Sequence, residues 1–95
     1  MKTDTLDEVG INEAGGLYVR PSTEDFPFIY REAMEVGWNP QQRLLFGPKP
    51  REWSHLDWFK QIRDAAKEQG VTLRVTPSTI WRNIPASLQK QISEL

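Results

Sequence analysis

The stretch Pro48-Lys49-Pro50-Arg51-Glu52-Trp53-Ser54-His55-Leu56-Asp57-Trp58-Phe59-Lys60-Gln61-Ile62 constrains the fold most, because a proline-stiffened loop runs there into a helix with a legible start, face and end. Ser54 can cap the first unpaired N–H groups, and Asp57 falls in the first turn, where the helix dipole favours a carboxylate. Asp is shorter than the Glu or Gln of a full capping box, so a partial box is expected. The spacing of Trp58, Phe59, Ile62, Ala65, Ala66 and Gln69 gathers them on one helical face. Lys60, Gln61, Asp64, Lys67 and Glu68 lie opposite, with Lys60 and Asp64 four apart as an expected surface pair. Gly70 closes the helix as a left-handed cap.

The rest of the chain is arranged around that helix. Its 95 residues hold one core, so a single domain over 1–95 is expected, with the polar residues 1–5 frayed. Leu6 to Ile11 and Leu17 to Arg20 read as a hairpin around Asn12-Glu13-Ala14-Gly15-Gly16. Residues 26–38 fit two patterns. Phe26, Ile29, Ala33 and Val36 suit a helix opened by Asp25 and Pro27, whereas alternation through Tyr30, Glu32, Met34, Val36 and Trp38 suits a strand. The turn residues Asn39-Pro40-Gln41-Gln42 and the apolar Leu44-Leu45-Phe46 favour a hairpin, which makes about 30 to 38 a strand. Val71-Thr72-Leu73-Arg74-Val75 alternates as a half-buried strand, and Ile80-Trp81 leads towards a second helix that Pro85 opens, with Leu88 and Ile92 on its inner face. The expected architecture is α+β, an antiparallel sheet of two hairpins plus one further strand (β-β-β-β-α-β-α) with two helices packed on one face.

Composition excludes several functions. The absence of cysteine removes disulfides and thiolate metal sites. No apolar run approaches the roughly 20 residues of a membrane span and no signal peptide opens the chain, so a cytoplasmic location is expected. His55 is the only imidazole, and its neighbours Ser54 and Asp57 do not point at it from a helix, so no catalytic triad, metal site or cofactor site is expected. Glu32 and Glu35 fall on opposite faces of the expected strand, so they read as solvated edge charges rather than a glycosidase-type pair.

The formal net charge of −1 hides a division: residues 1–35 carry three basic and eight acidic groups, and residues 36–95 nine basic and five acidic. If Asp7, Glu8, Glu24, Asp25, Glu32 and Glu35 share one side, away from Arg43, Arg51, Arg74 and Arg82, they form an acidic front that steers a basic partner. Glu24, Asp25, Glu32, Glu35, Arg51 and Trp53 are the candidate partner-binding residues, since Trp and Arg dominate protein interfaces energetically and rim charges set association rate. The rival reading takes Arg43, Lys49, Arg51, Arg74 and Arg82 with Trp53 and Trp81 as a basic, stacking surface for nucleic acid, which an isoelectric point near 5.8 disfavours. A small enzyme with an unrecognised site is the third.

The strings Tyr30-Arg31-Glu32-Ala33 and Val36-Gly37-Trp38, with Pro48 through Phe59, give the chain over roughly residues 9–92 a resemblance to small bacterial proteins carried on mobile elements such as integron gene cassettes. That resemblance brings no defined activity. It implies a stand-alone protein, and for some small acidic members a toxin-neutralising role with a protein partner and no catalysis.

Overall fold

A computed structural model describes residues 1–95, and its organising element is strand β1 (Lys2–Ile11). Along one edge β1 pairs with the antiparallel strand β2 (Leu17–Pro21), which pairs in turn with β4 (Leu44–Phe46), and β4 with β3 (Gly37–Asn39). Along its other edge lie two strands that both run parallel to it. β5 (Val71–Arg74) takes Lys2 to Thr5, and β6 (Ile80–Arg82) takes Glu8 to Gly10. Six steps along β1, from Lys2 to Glu8, are matched by nine from Val71 to Ile80, so the connection bows outward. Thr79 secures the bow from a buried position, donating its hydroxyl to the Leu6 carbonyl at 2.7 Å and accepting from the Thr76 N–H at 2.9 Å.

The α+β class therefore holds, but the sheet is mixed rather than antiparallel and has six strands. Ile80-Trp81-Arg82 is a strand, not a lead-in to a helix. The N-terminus is also ordered from Lys2, because the edge that β5 offers pairs with it. Asp4, only 4 % exposed, then accepts from the Thr23 N–H and hydroxyl and from the Glu24 N–H at 2.8–3.1 Å, holding down the loop after β2.

The segment between β2 and β3 departs most from expectation. Ile29–Arg31 is a single turn of 3-10 helix, followed by further tight turns closed by Glu32 N–H to Ile29 O and Val36 N–H to Ala33 O; only the hairpin across Asn39–Gln42 remains of the expected strand. Phe26, Ile29, Ala33 and Val36 are all buried, which is the helix-like spacing the sequence also contained. Burial of these four side chains decided the conformation, against the alternation of their neighbours. Arg43, which leaves the β3–β4 turn with φ of 55°, is held in that costly left-handed state by bonds to the Asp25 carboxylate and the Glu24 carbonyl, both at 3.0 Å.

Helix α1 (His55–Glu68) follows the sequence closely. Both halves of the capping box form, Asp57 N–H to Ser54 Oγ and Ser54 N–H to the Asp57 carboxylate, each at 3.1 Å, so the shorter side chain suffices. Trp58, Phe59, Ile62, Ala65 and Ala66 are buried against the sheet, whereas Gln69 is exposed and Asp64 pairs with Arg63 at 3.3 Å rather than with Lys60. Gly70 has the left-handed φ of 86° expected of the cap. Helix α2 (Ala86–Ser93) packs beside α1 and adds Leu88 and Ile92 to the single core cluster. No helix is long and apolar enough to cross a membrane.

Two substitutions test this packing. Phe59→Ala should lower the unfolding free energy by about 3–5 kcal/mol in chemical denaturation, the cost of emptying a packed aromatic site. Asp4→Ala should cost about 1–3 kcal/mol by stranding the donors of Thr23 and Glu24, and should raise amide exchange in residues 22–25 before the rest of the sheet. Unchanged exchange there would show that the loop does not depend on Asp4.

Candidate functional site

Beyond Leu6 the register of β1 changes. Leu6 faces Pro21 and Glu8 faces Arg20, so Asp7 is an extra residue, a β-bulge. The bulge turns the strand over. Leu6 points into the core, and simple alternation would send Glu8 after it; instead Val9, paired with Val19, enters the core, and Glu8 emerges on the face that no helix covers. There it meets Tyr18 and Arg20 from β2 and Arg82 from β6. The Tyr18 hydroxyl donates to Glu8 Oε2, Arg20 donates to Oε1 at 2.9 Å, and Arg82 Nε lies 3.2 Å from Oε2. Glu8 is 6 % exposed, and these three partners from two neighbouring strands satisfy it.

Gly10 makes this geometry possible. It lies opposite Tyr18, whose side chain rests on it so closely that a Cβ at residue 10 would sit 2.4 Å from the hydroxyl oxygen and 2.5–2.6 Å from ring carbons. Phe46 covers Gly37 in the same way. The two rings lie beside each other across β2 and β4, and a cleft of about 570 Å³ opens over them, with Glu8, Arg20 and Arg82 on one flank and Asn39 and Gln42 among the others.

A second cleft, of about 510 Å³, lies between Met34-Glu35 and the Pro48–Trp53 loop and reaches Trp58 and Gln61 of α1. The rings of Trp53 and Trp58 meet at 5.0 Å and 48°. Trp58 is buried over Gly47; Trp53 stays 46 % exposed and Met34 94 % exposed. Glu35, Arg51 and Trp53, three of the six candidate partner-binding residues, come together here.

The other three lie elsewhere. Glu24 pairs with Lys2 at 3.6 Å, Asp25 with Arg43 at 3.0 Å, and Glu32 accepts from the Gln69 side chain. With Glu8 buried between Arg20 and Arg82 as well, four of the six residues of the expected acidic front are held by partners; Asp25–Arg43 and Glu8–Arg82 join the two halves of the chain, whereas Glu24–Lys2 and Glu8–Arg20 lie within the first. The basic residues are likewise divided. Lys49 and Arg51 line the second cleft, Arg82 the first, and Arg43 is committed to Asp25. His55 donates from Nε2 to the Gly15 carbonyl at 2.9 Å and ties the start of α1 to the β1–β2 turn. The Glu8 network went unread in the sequence, although it left a signal. Leu6, Val9 and Ile11 cannot share one face of a regular strand, and the odd step from 6 to 9 marks the bulge.

The network also sets a pH dependence. Burial alone would raise the Glu8 carboxyl, but the Tyr18 hydrogen bond, the Arg20 charge and the hydrogen bond and charge of Arg82 outweigh it and hold the group below its ordinary 4.5. Tyr18 is pushed up to about 12, by burial first and then by the hydrogen bond and charge of Glu8, against the opposing arginines. Glu8 binds its proton less tightly folded than unfolded, so its stabilisation is complete above 4.5 and is lost as pH falls through the lower folded value. Tyr18 binds its proton more tightly folded, so its contribution is complete below 10.0 and is lost as pH rises through about 12. Urea midpoints against pH should therefore show a plateau between these limits, with Glu8→Gln shrinking the acid limb and Tyr18→Phe the alkaline one. An acid limb identical in Glu8→Gln would place that transition on other carboxylates.

A family model described as Integron Cassette Protein Hfx_Cass5 matches residues 4–79, which span β1 to the residue before β6. A solved structure from the mobile metagenome of the North West Arm Sewage Outfall, the integron cassette protein Hfx_Cass5, is 45% identical, with 99% of this chain and 95% of that one covered and a TM-score of 0.51. No curated protein matches the chain. The match over four-fifths of its length and the identity to the solved relative place it plainly: the chain belongs to the Hfx_Cass5 family of integron cassette proteins.

Proposed function

We propose that this integron cassette protein is a non-enzymatic binding protein that docks a partner protein at the cleft between Met34-Glu35 and the Pro48–Trp53 loop. The observation that carries the reading is the exposure of Trp53, braced by Trp58, opposite a fully solvated Met34. A Trp held rigid before binding loses little conformational entropy on contact, and a Met adapts to the shape presented to it. The cleft suits an apolar side chain of the partner, flanked by charged residues that meet Lys49 and Arg51 on one hand and Glu35 and Glu52 on the other. Those two carboxylates favour a protein over a nucleic acid, whose phosphates they would repel. Toxin neutralisation is the most concrete form of this role. It draws support from the docking surface and from no acidic field, because Glu24 and Asp25 are already paired.

The test is capture from a lysate of the native host by the parent and by a Trp53→Ala, Met34→Ala double variant. Met34 is almost wholly exposed and Trp53 gives up its contact with Trp58, so the variant should keep the parent's circular dichroism and lose about 1–2 kcal/mol of stability. A partner held by the parent should bind the variant at least about tenfold more weakly, the loss of a little over 1.4 kcal/mol at a hot spot. Equal recovery by the variant would remove the cleft from the interface. Retention abolished by nuclease would make nucleic acid the ligand.

A further inference from the structure

We propose that the cleft on the helix-free face of the sheet binds a small organic monocarboxylate, held by the outward edge of Arg82 with help from Arg20. This site is separate from the docking cleft and does not depend on it.

Two guanidinium groups converge on one carboxylate. Glu8 takes one terminal nitrogen of Arg20 and the Nε of Arg82, while Arg20 Nε is engaged by the Gln42 carbonyl at 3.2 Å. This leaves both terminal amino groups of Arg82 and one of Arg20 without a protein partner, and the Arg82 side chain is 61 % exposed. Two positive charges against Glu8 leave the cluster itself at +1 beside an opening of about 570 Å³, and Glu13 on the turn brings the whole lining to neutral, so any attraction for an anion is local to the guanidinium edges. Satisfying Glu8 does not require that arrangement, since Tyr18 and Arg20 already occupy both of its oxygens. A planar carboxylate fits the fork of a guanidinium with two parallel hydrogen bonds.

The remaining lining narrows the class. Glu13 on the β1–β2 turn is the only other charged residue of the cleft, so a ligand with two or three negative charges meets repulsion from both Glu8 and Glu13. Asn12, Asn39, Gln42 and Asn83 line it with carboxamides; internal bonds occupy the oxygens of Asn12, Asn39 and Gln42 and engage the amino group of Asn83, which leaves the amino groups of Asn12 and Gln42 and the oxygen of Asn83 to meet hydroxyl or amide groups of a ligand. The Tyr18 and Phe46 rings supply an apolar floor.

The experiment is a titration of isotope-labelled full chain, followed by backbone amide and arginine Nε–H resonances. Probes are gluconate and lactate as monocarboxylates, glycerol as the neutral control, citrate as the polyanion and sodium chloride at matched ionic strength. Gluconate or lactate should saturate with a millimolar dissociation constant, about −4 kcal/mol, and shift Arg20, Arg82, Asn83 and Gly10 while leaving Trp53 still. Arg82→Gln, which leaves Glu8 its Tyr18 and Arg20 partners, should weaken binding at least about tenfold; Arg82→Lys, which keeps the charge but loses the fork, should weaken it as well. Absence of saturation by either monocarboxylate overturns the proposal. So do equal shifts with glycerol, citrate or chloride, or unaltered affinity in Arg82→Gln. If the variants do not fold, the pattern of shifts in the parent decides alone, and shifts confined to residues outside this cleft count against the site.

Discussion

Everything in this fold hangs on β1 being shared. One strand of ten residues serves β2 on one side and both β5 and β6 on the other, and its two ends do different work. The first half, up to Leu6, is the seat of the parallel contact that closes the domain after α1. The second half carries the polar network. Between them the single extra residue Asp7 reverses which side chains face the core, and without it Glu8 would enter an apolar interior with no arginine in reach. A one-residue irregularity thereby decides whether this protein has a polar cleft on its open face or a buried, unpartnered charge.

What could be read from the sequence follows from how local each cause is. Helix α1 was legible down to its capping residues because Ser54, Asp57 and Gly70 act within one turn of the places they control, and the β1–β2 hairpin was legible because Gly15 supplies the positive φ its turn requires. β6 was not. Three residues give no period to detect, and their strand state comes from Glu8, Val9 and Gly10, more than seventy positions away. The same holds for Lys2–Thr5, polar to the eye and ordered by β5 and by the bonds of Asp4 to the loop after β2. For residues 26–36 the sequence held both answers, and the deciding factor was tertiary: Phe26 meets Trp38 edge to face at 5.8 Å while Ile29, Ala33 and Val36 fill the core below, which no strand could do with all four.

The candidate binding residues show the same division. Arg51, Trp53 and Glu35 were found by type and do share a cleft, but Met34 between them was not, since an exposed methionine is visible only once its segment is known to be turns rather than strand. The acidic front is reduced for a plainer reason. Charge balance along a chain says nothing of charge balance in space, and Asp25–Arg43, Glu24–Lys2 and the Glu8 cluster each join residues at least twelve positions apart.

Both clefts are floored in the same way. In each, an aromatic ring lies on a glycine: Tyr18 on Gly10 and Phe46 on Gly37 beneath the polar cleft, Trp58 on Gly47 beneath Trp53. A glycine in a sheet forfeits packing, and a ring laid across it restores the buried area while staying closer to the backbone than any ring could above a β-carbon. The result is a surface lower than its surroundings, with rigid apolar walls and polar groups left free at the edges. The hairpin partners needed for this are fixed by register, Gly10 with Tyr18 and Gly37 with Phe46. The geometry of the polar cleft is thus a consequence of strand pairing itself: a slip of one residue in either ladder would move a ring off its glycine, and a slip of β1 against β2 would also lift the Tyr18 hydroxyl away from Glu8.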